Sequence, residues 1–199
     1  MRRDFVSVVV LVLFIVLAFG SGDDNKSPKG TSSSSTPSTS GGSSTPEPAA
    51  TPGSQWSYDN SNDAMAKGTV SQASVESTNT VNFRFPYAGE QHGTLTLRTH
   101  PRYGKNVIFN IKKGQIQCPS YSGCKVLVRF DNGEATSYSA AGPEDNSSET
   151  IFINDYSGFV GKMMKAKTVR ISPNVYQEGA PVFEFDVAGF DAAKYRPKK

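Results

Sequence analysis

The chain has 199 residues, 36% of them hydrophobic and 20% charged, and Lys plus Arg exceed Asp plus Glu by 21 to 18, a net charge of +3. Two cysteines and two histidines are the only Cys and His it holds, and their spacing does not match a finger-type zinc site. Composition also shifts along the chain, so its length does not mean one large domain.

Residues 1–20, MRRDFVSVVVLVLFIVLAFG, place Arg2 and Arg3 ahead of a run from Phe5 to Phe19 that is apolar apart from Ser7. A run of about 15 residues is short for a bilayer span, which takes about 20, and suits the core of an export signal. Ala18 and Gly20 supply small residues for cleavage before Ser21. Retention as an N-terminal membrane anchor is the other reading. In both cases the basic end stays in the cytoplasm and the rest is translocated. No cysteine stands near Ser21 to accept a lipid.

Residues 21–55 hold no large apolar side chain and are rich in Ser, Thr, Pro and Gly. Such a segment buries too little surface to offset the entropy of ordering, which predicts a disordered linker. A flexible chain of this length reaches roughly 30 Å end to end.

A globular body is expected over residues 56–195, starting at Trp56, long enough for one core, with a basic tail at 196–199. Its pattern has period two. Apolar residues alternate at Val81, Phe83 and Phe85, at Leu95 and Leu97, and at Val107, Phe109 and Ile111. They alternate again at Val126, Val128 and Phe130, at Val169 and Ile171, and at Phe183, Phe185 and Val187. Turn residues separate these runs, among them Arg102-Tyr103-Gly104 and Asp131-Asn132-Gly133. Half-buried strands between regular turns predict a mainly all-β fold, an antiparallel β-sandwich. One helix is expected, Tyr156 to Lys167, with Ser148 or Asp155 as cap and its methionines filling the core.

Cys118 and Cys124 bracket the short segment PSYSG. The flanking runs place one cysteine at the end of a strand and the other at the start of the next, so a disulfide is expected to close the base of a hairpin. A redox centre would want C-x-x-C beside a βαβ unit, which is absent here. A disulfide implies an oxidising compartment, in agreement with the export signal.

No G-x-S-x-G elbow occurs, and His92 and His100 read as solvated loop residues. Asp59, Asp63, Asp131, Glu144, Asp145 and Asp186 are the acids from which a hydrolase could draw a carboxylate pair. Asp and Asn in such settings ordinarily make turns. No catalytic residue, metal or cofactor is assigned. The loop aromatics Tyr87, Tyr103 and Tyr121 are the candidate binding residues, because exposed aromatics give contact area at low entropic cost. Lys162, Lys165, Lys167 and the tail KYRPKK concentrate basic charge towards the C-terminus.

Trp56 followed by Asp59 and Asp63, then SVESTNTV, PYAGEQHGTLTLR, KVLVRFDNGEA, FIND and the closing VFEFDVAGF together resemble the domain of the type VI secretion accessory proteins VasI and TagO. The resemblance spans most of residues 56–191 and implies an exported β-sandwich without a catalytic centre. Thr99 stands where that family often has a cysteine. The expectation is an exported, non-enzymatic bacterial envelope module, periplasmic or on the extracellular face, tethered or secreted. Its expected partner is a protein or cell-wall component, with the inner membrane engaged by an uncleaved N-terminal segment and no nucleic acid. A carboxylate-pair hydrolase and a structural assembly subunit are the alternatives.

Overall fold

The computed structural model describes residues 55–195; the leader or anchor, most of the linker and the basic tail lie outside the described residues. In chain order come β1 (Ser57–Asp63), β2 (Gly68–Glu76), β3 (Val81–Phe83), β4 (Gly89–Gln91), β5 (Gly93–His100), β6 (Gly104–Ile111) and β7 (Cys124–Phe130). They are followed by β8 (Thr136–Ala141), β9 (Thr150–Ile153), α1 (Tyr156–Met163), β10 (Thr168–Ser172), β11 (Phe183–Asp186) and a short α2 (Ala192–Tyr195).

The main sheet has nine antiparallel strands in the order β1-β2-β5-β6-β9-β8-β7-β10-β11, and β3 pairs with β4 as a separate ribbon. This sheet wraps onto itself. Phe109 of β6 meets Phe183 and Phe185 of β11, with ring centroids 5.3 and 6.3 Å apart. The seam is closed by the segment after β2: Thr78 N donates to Glu184 O at 2.7 Å, and Glu184 N donates to Asn79 Oδ1 at 2.7 Å. Asn79 Nδ2 donates to Val182 O at 2.9 Å. The expected antiparallel sandwich is therefore made by one continuous sheet whose two halves face each other.

Alternation supplies the core. Val75, Leu95, Leu97, Val107, Phe109, Ile111, Val126, Val128, Ile151, Val169, Ile171, Phe183 and Phe185 are all buried on the inner face. Burial of each large side chain contributes about 1.5–3 kcal/mol. Packing leaves no spare volume at Gly93, where a Cβ would lie 2.8 Å from Phe109 and 3.0 Å from Phe183.

Several details depart from the sequence expectations. The run at Val81 to Phe85 stops pairing at Phe83, and Phe85 lies exposed on the turn closed by Tyr87 N donating to Arg84 O. Helix α1 ends at Met163, short of Lys167. Asp155 caps it by accepting from Gly158 N at 3.0 Å. Met163 is buried, whereas Met164 is exposed and does not fill the core.

The cysteines do not close a hairpin. β6 pairs with β9, and β7 pairs with β8 and β10. After β6 the chain makes an excursion in which Ile116 bridges to Val175 before the disulfide is reached. Cys118 and Cys124 are bonded, with Cα atoms 4.9 Å apart. The staple closes a loop that packs on the end of β8, where any Cβ at Gly142 would strike the Cys118 carbonyl. The bond belongs to an oxidising, extracytoplasmic environment.

Candidate functional site

The outward face of β5, β6 and β9 carries a groove of about 500 Å³. Its tip is set by the β5–β6 hairpin, whose register pairs His100 with Gly104 and leaves Tyr103 in the turn. His100 Nδ1 accepts from the amides of Arg102 at 3.0 Å and Tyr103 at 3.3 Å. That leaves Nε2 to carry the ring proton towards Asp63 Oδ2, 3.3 Å away. The two rings, His100 and Tyr103, lie 4.6 Å apart. Asp63 in turn accepts from Met65 N and Ala66 N at 2.8 and 3.0 Å. The Ala66 amide, then the Met65 amide, hold its carboxyl below the usual carboxylate range. His100 is thus a part-buried fastening of the hairpin turn, and not the solvated residue expected.

Arg98 points outward from β5 because Leu95 and Leu97 take the inner positions. Its Nε and Nη2 donate to Asn106 Oδ1 at 3.3 and 2.9 Å. Its guanidinium carbon sits 6.0 Å from the Tyr103 ring centre and 5.7 Å from that of Phe152 on β9. Burial lowers the Arg98 pKa, yet a guanidinium stays charged. Glu144 and Asp145 line the same groove from the loop after β8. The groove therefore combines a fixed cation, two aromatic rings and carboxylates on a single outer face.

A second groove, of about 390 Å³, lies against the disulfide loop and is lined by Cys118, Pro119, Ser120, Ser147 and Tyr176 among others. Gly142 and Pro143 line both grooves and form their common wall.

Of the three candidate tyrosines, Tyr103 is 58% exposed and lines the larger groove. Tyr121 is 90% exposed within the disulfide loop. Tyr87 is partly buried against the core, which leaves it little surface for a partner. Arg98, Asn106 and Phe152 were not singled out from the sequence. Their signal was weak: each occupies an outward position on its strand, and only strand order brings them together.

Most of the carboxylates are spent on local structure. Asp131 Oδ1 accepts from Lys167 N and Thr168 N at 2.8 and 2.9 Å, and Asp186 Oδ1 accepts from Ala188 N at 3.0 Å. The amides of Thr168 and Lys167 hold the Asp131 carboxyl below its usual range. Asp59 lies in the edge strand β1 opposite Gln72. Glu144 and Asp145 do line one groove, but Asp145 Oδ1 already accepts from Ser147 N at 2.9 Å. Thr99 Oγ1 is 2.8 Å from the Tyr195 hydroxyl, which in turn accepts from Tyr156 Oη at 3.1 Å.

No protein-family model matches this chain, and no curated protein matches it. Among solved structures, the crystal structure of invasion associated protein b from Bartonella henselae is similar at 13% identity and a TM-score of 0.42, over 68% of this chain and 86% of that one.

Proposed function

We propose that this protein is an exported, non-enzymatic binding module of the cell envelope that holds an extended, peptide-like segment of an envelope partner in the groove of Arg98, Tyr103 and Phe152. The observation that carries this reading is the composition of that groove. A cation fixed by Asn106 and two aromatic rings faces carboxylates from Glu144 and Asp145. A segment bearing amides, both signs of charge and flat or apolar side chains is the complement of such a lining. The floor lies on paired strands, which hold the binding groups in place without a cost of ordering them on association. The basic and apolar N-terminal run and the disulfide support export, tethered or secreted. The resemblance to the VasI and TagO domain supports an accessory role.

The test is site-directed photocrosslinking with the full chain in its native envelope. A photoreactive residue at Tyr103 is expected to yield one discrete adduct, absent with Arg98→Ala and absent from the same probe at Glu90, which is exposed on β4. Equal labelling at both positions, or none at either, overturns the reading. So does turnover of envelope polymer by the purified chain that is lost in Glu144→Gln.

A further inference from the structure

The outward face at the other end of the sheet carries a different kind of opening. β7 and β10 pair so that Arg129 stands directly opposite Arg170, and β10 and β11 pair so that Arg170 stands opposite Glu184. Arg170 is paired: its Nε donates to Glu184 Oε2 at 2.6 Å and its Nη1 to Asp131 O at 3.0 Å. Arg129 is not. Its Nε is buried without a hydrogen-bond partner, and among the described residues no carboxylate lies within ion-pairing distance of it. Like charges directly opposite across a strand pair are unfavourable, and so is a buried donor without an acceptor. Both costs fall on one side chain.

Arg129 and Arg170 line a cleft of about 370 Å³ together with Leu127, Ala135, Ser172 and Val182. Leu127 and Val182 are 48% and 46% exposed, so this patch of sheet offers apolar walls to solvent beside an unneutralised guanidinium. The other charged groups of the face do not relieve it. Lys125, four residues before Arg129 on the same side of β7, adds positive charge, Glu184 is committed to Arg170, and the Asp131 carboxylate is bonded to Lys167 N and Thr168 N.

We propose that this cleft is a second binding site, independent of the groove at Arg98, for a carboxylate carried on an apolar body. The carboxylate pairs with the Arg129 guanidinium where it lines the cleft and neutralises the Arg129–Arg170 repulsion, while the apolar body covers Leu127, Ala135 and Val182. A planar guanidinium recognises the planar carboxylate through directed bonds. Two sources have this chemistry, an alkyl acid and the C-terminus of a peptide that ends in an apolar residue.

The test uses the full oxidised chain, labelled with nitrogen-15, and follows the Arg129 Nε–H resonance during titration with sodium octanoate and with N-acetyl-leucine. Octanol and N-acetyl-leucine amide, which lack the carboxylate, are the controls. A saturable shift with at least one carboxylate and with neither control is expected. Octanoate alone acting identifies an alkyl acid, and N-acetyl-leucine alone a chain terminus. Arg129→Gln, its binding read from the backbone amides of Leu127 and Val182 in the same titration, is expected to weaken binding about tenfold or more, the scale of a lost charge-assisted hydrogen bond, without lowering the thermal midpoint. No shift with either carboxylate, an equal response to octanol, or Arg129→Gln binding that matches the wild type would overturn the proposal. A second variant, Leu127→Ser on the exposed wall, is expected to weaken octanoate binding and leave the fold intact.

Discussion

Arg98 and Arg129 occupy equivalent positions, each outward on a central strand of the same sheet, yet their surroundings are opposite. Arg98 has an acceptor in Asn106 and two rings beside it. Arg129 faces a second arginine and leaves Nε unpaired. Completing the bonds of a part-buried guanidinium within the protein fixes it as part of a rigid floor, which suits recognition by shape and contact. Leaving one incomplete stores an unfavourable interaction that a ligand can relieve. The two proposed sites should therefore differ in their dependence on charge and salt.

The largest expected effect removes what both faces stand on. Phe109→Ala, at the contact between the two halves of the sheet, should cost about 3–5 kcal/mol. Chemical denaturation should show this loss, and ligand-induced shifts should weaken on both faces together. A variant that lost only one face would mean that the halves do not share a core.

Replacing both Cys118 and Cys124 by serine is expected to cost about 2 kcal/mol, the chain-entropy value for a short loop. The same denaturation experiment measures it. Because the loop packs against Gly142, the damage should fall on the groove wall, and octanoate titration at Arg129 should be unchanged. Loss at both sites would show that the staple acts globally.

Arg98→Ala should cost about 1–2 kcal/mol through its hydrogen bonds and ring contacts. Arg129→Gln should leave the denaturation midpoint unchanged or raise it, since it removes a like charge opposite Arg170. A destabilised Arg129→Gln would erase the contrast between the two arginines.

Acid separates the faces more gently. Asp63 and Asp131 both have pKa values depressed by backbone amides, Asp63 beside the Tyr103 hairpin and Asp131 in the turn between β7 and β8, bonded to the start of β10. In the folded state each binds fewer protons than in the unfolded chain. Their stabilisation is therefore present above the ordinary carboxylate value of about 4 and is lost as pH falls below it through the folded values. Asp63→Asn and Asp131→Asn should each flatten part of the acid limb of a stability-versus-pH curve. An unchanged limb in both would show that neither carboxylate contributes.

Much of the fold was legible because β5, β6, β7, β10 and β11 place large apolar residues at every second position. β2 and β8 were not legible for the opposite reason. Their inner positions include Ser71, Ala73 and Ala140, small residues that fit against large neighbours and carry little hydrophobic signal. β1 is a polar edge strand with no buried side chain, so nothing in its composition distinguishes it from a loop. Among the candidate residues, Tyr103 lines a groove, whereas Tyr87 is drawn to the core. Exposure of an aromatic in a turn depends on what packs above it, and a local pattern does not contain that information.

The sequence by itself determined the class of fold, the presence of a helix from Tyr156 and the availability of two cysteines for a staple. Each follows from interactions between residues near one another along the chain. Only the tertiary structure decided that β6 pairs with β9 and that β7 pairs with β10. Those two pairings bring Phe152 to Arg98 and Arg170 to Arg129, because strand order is fixed by burying all the inner faces in one core and not by any single strand.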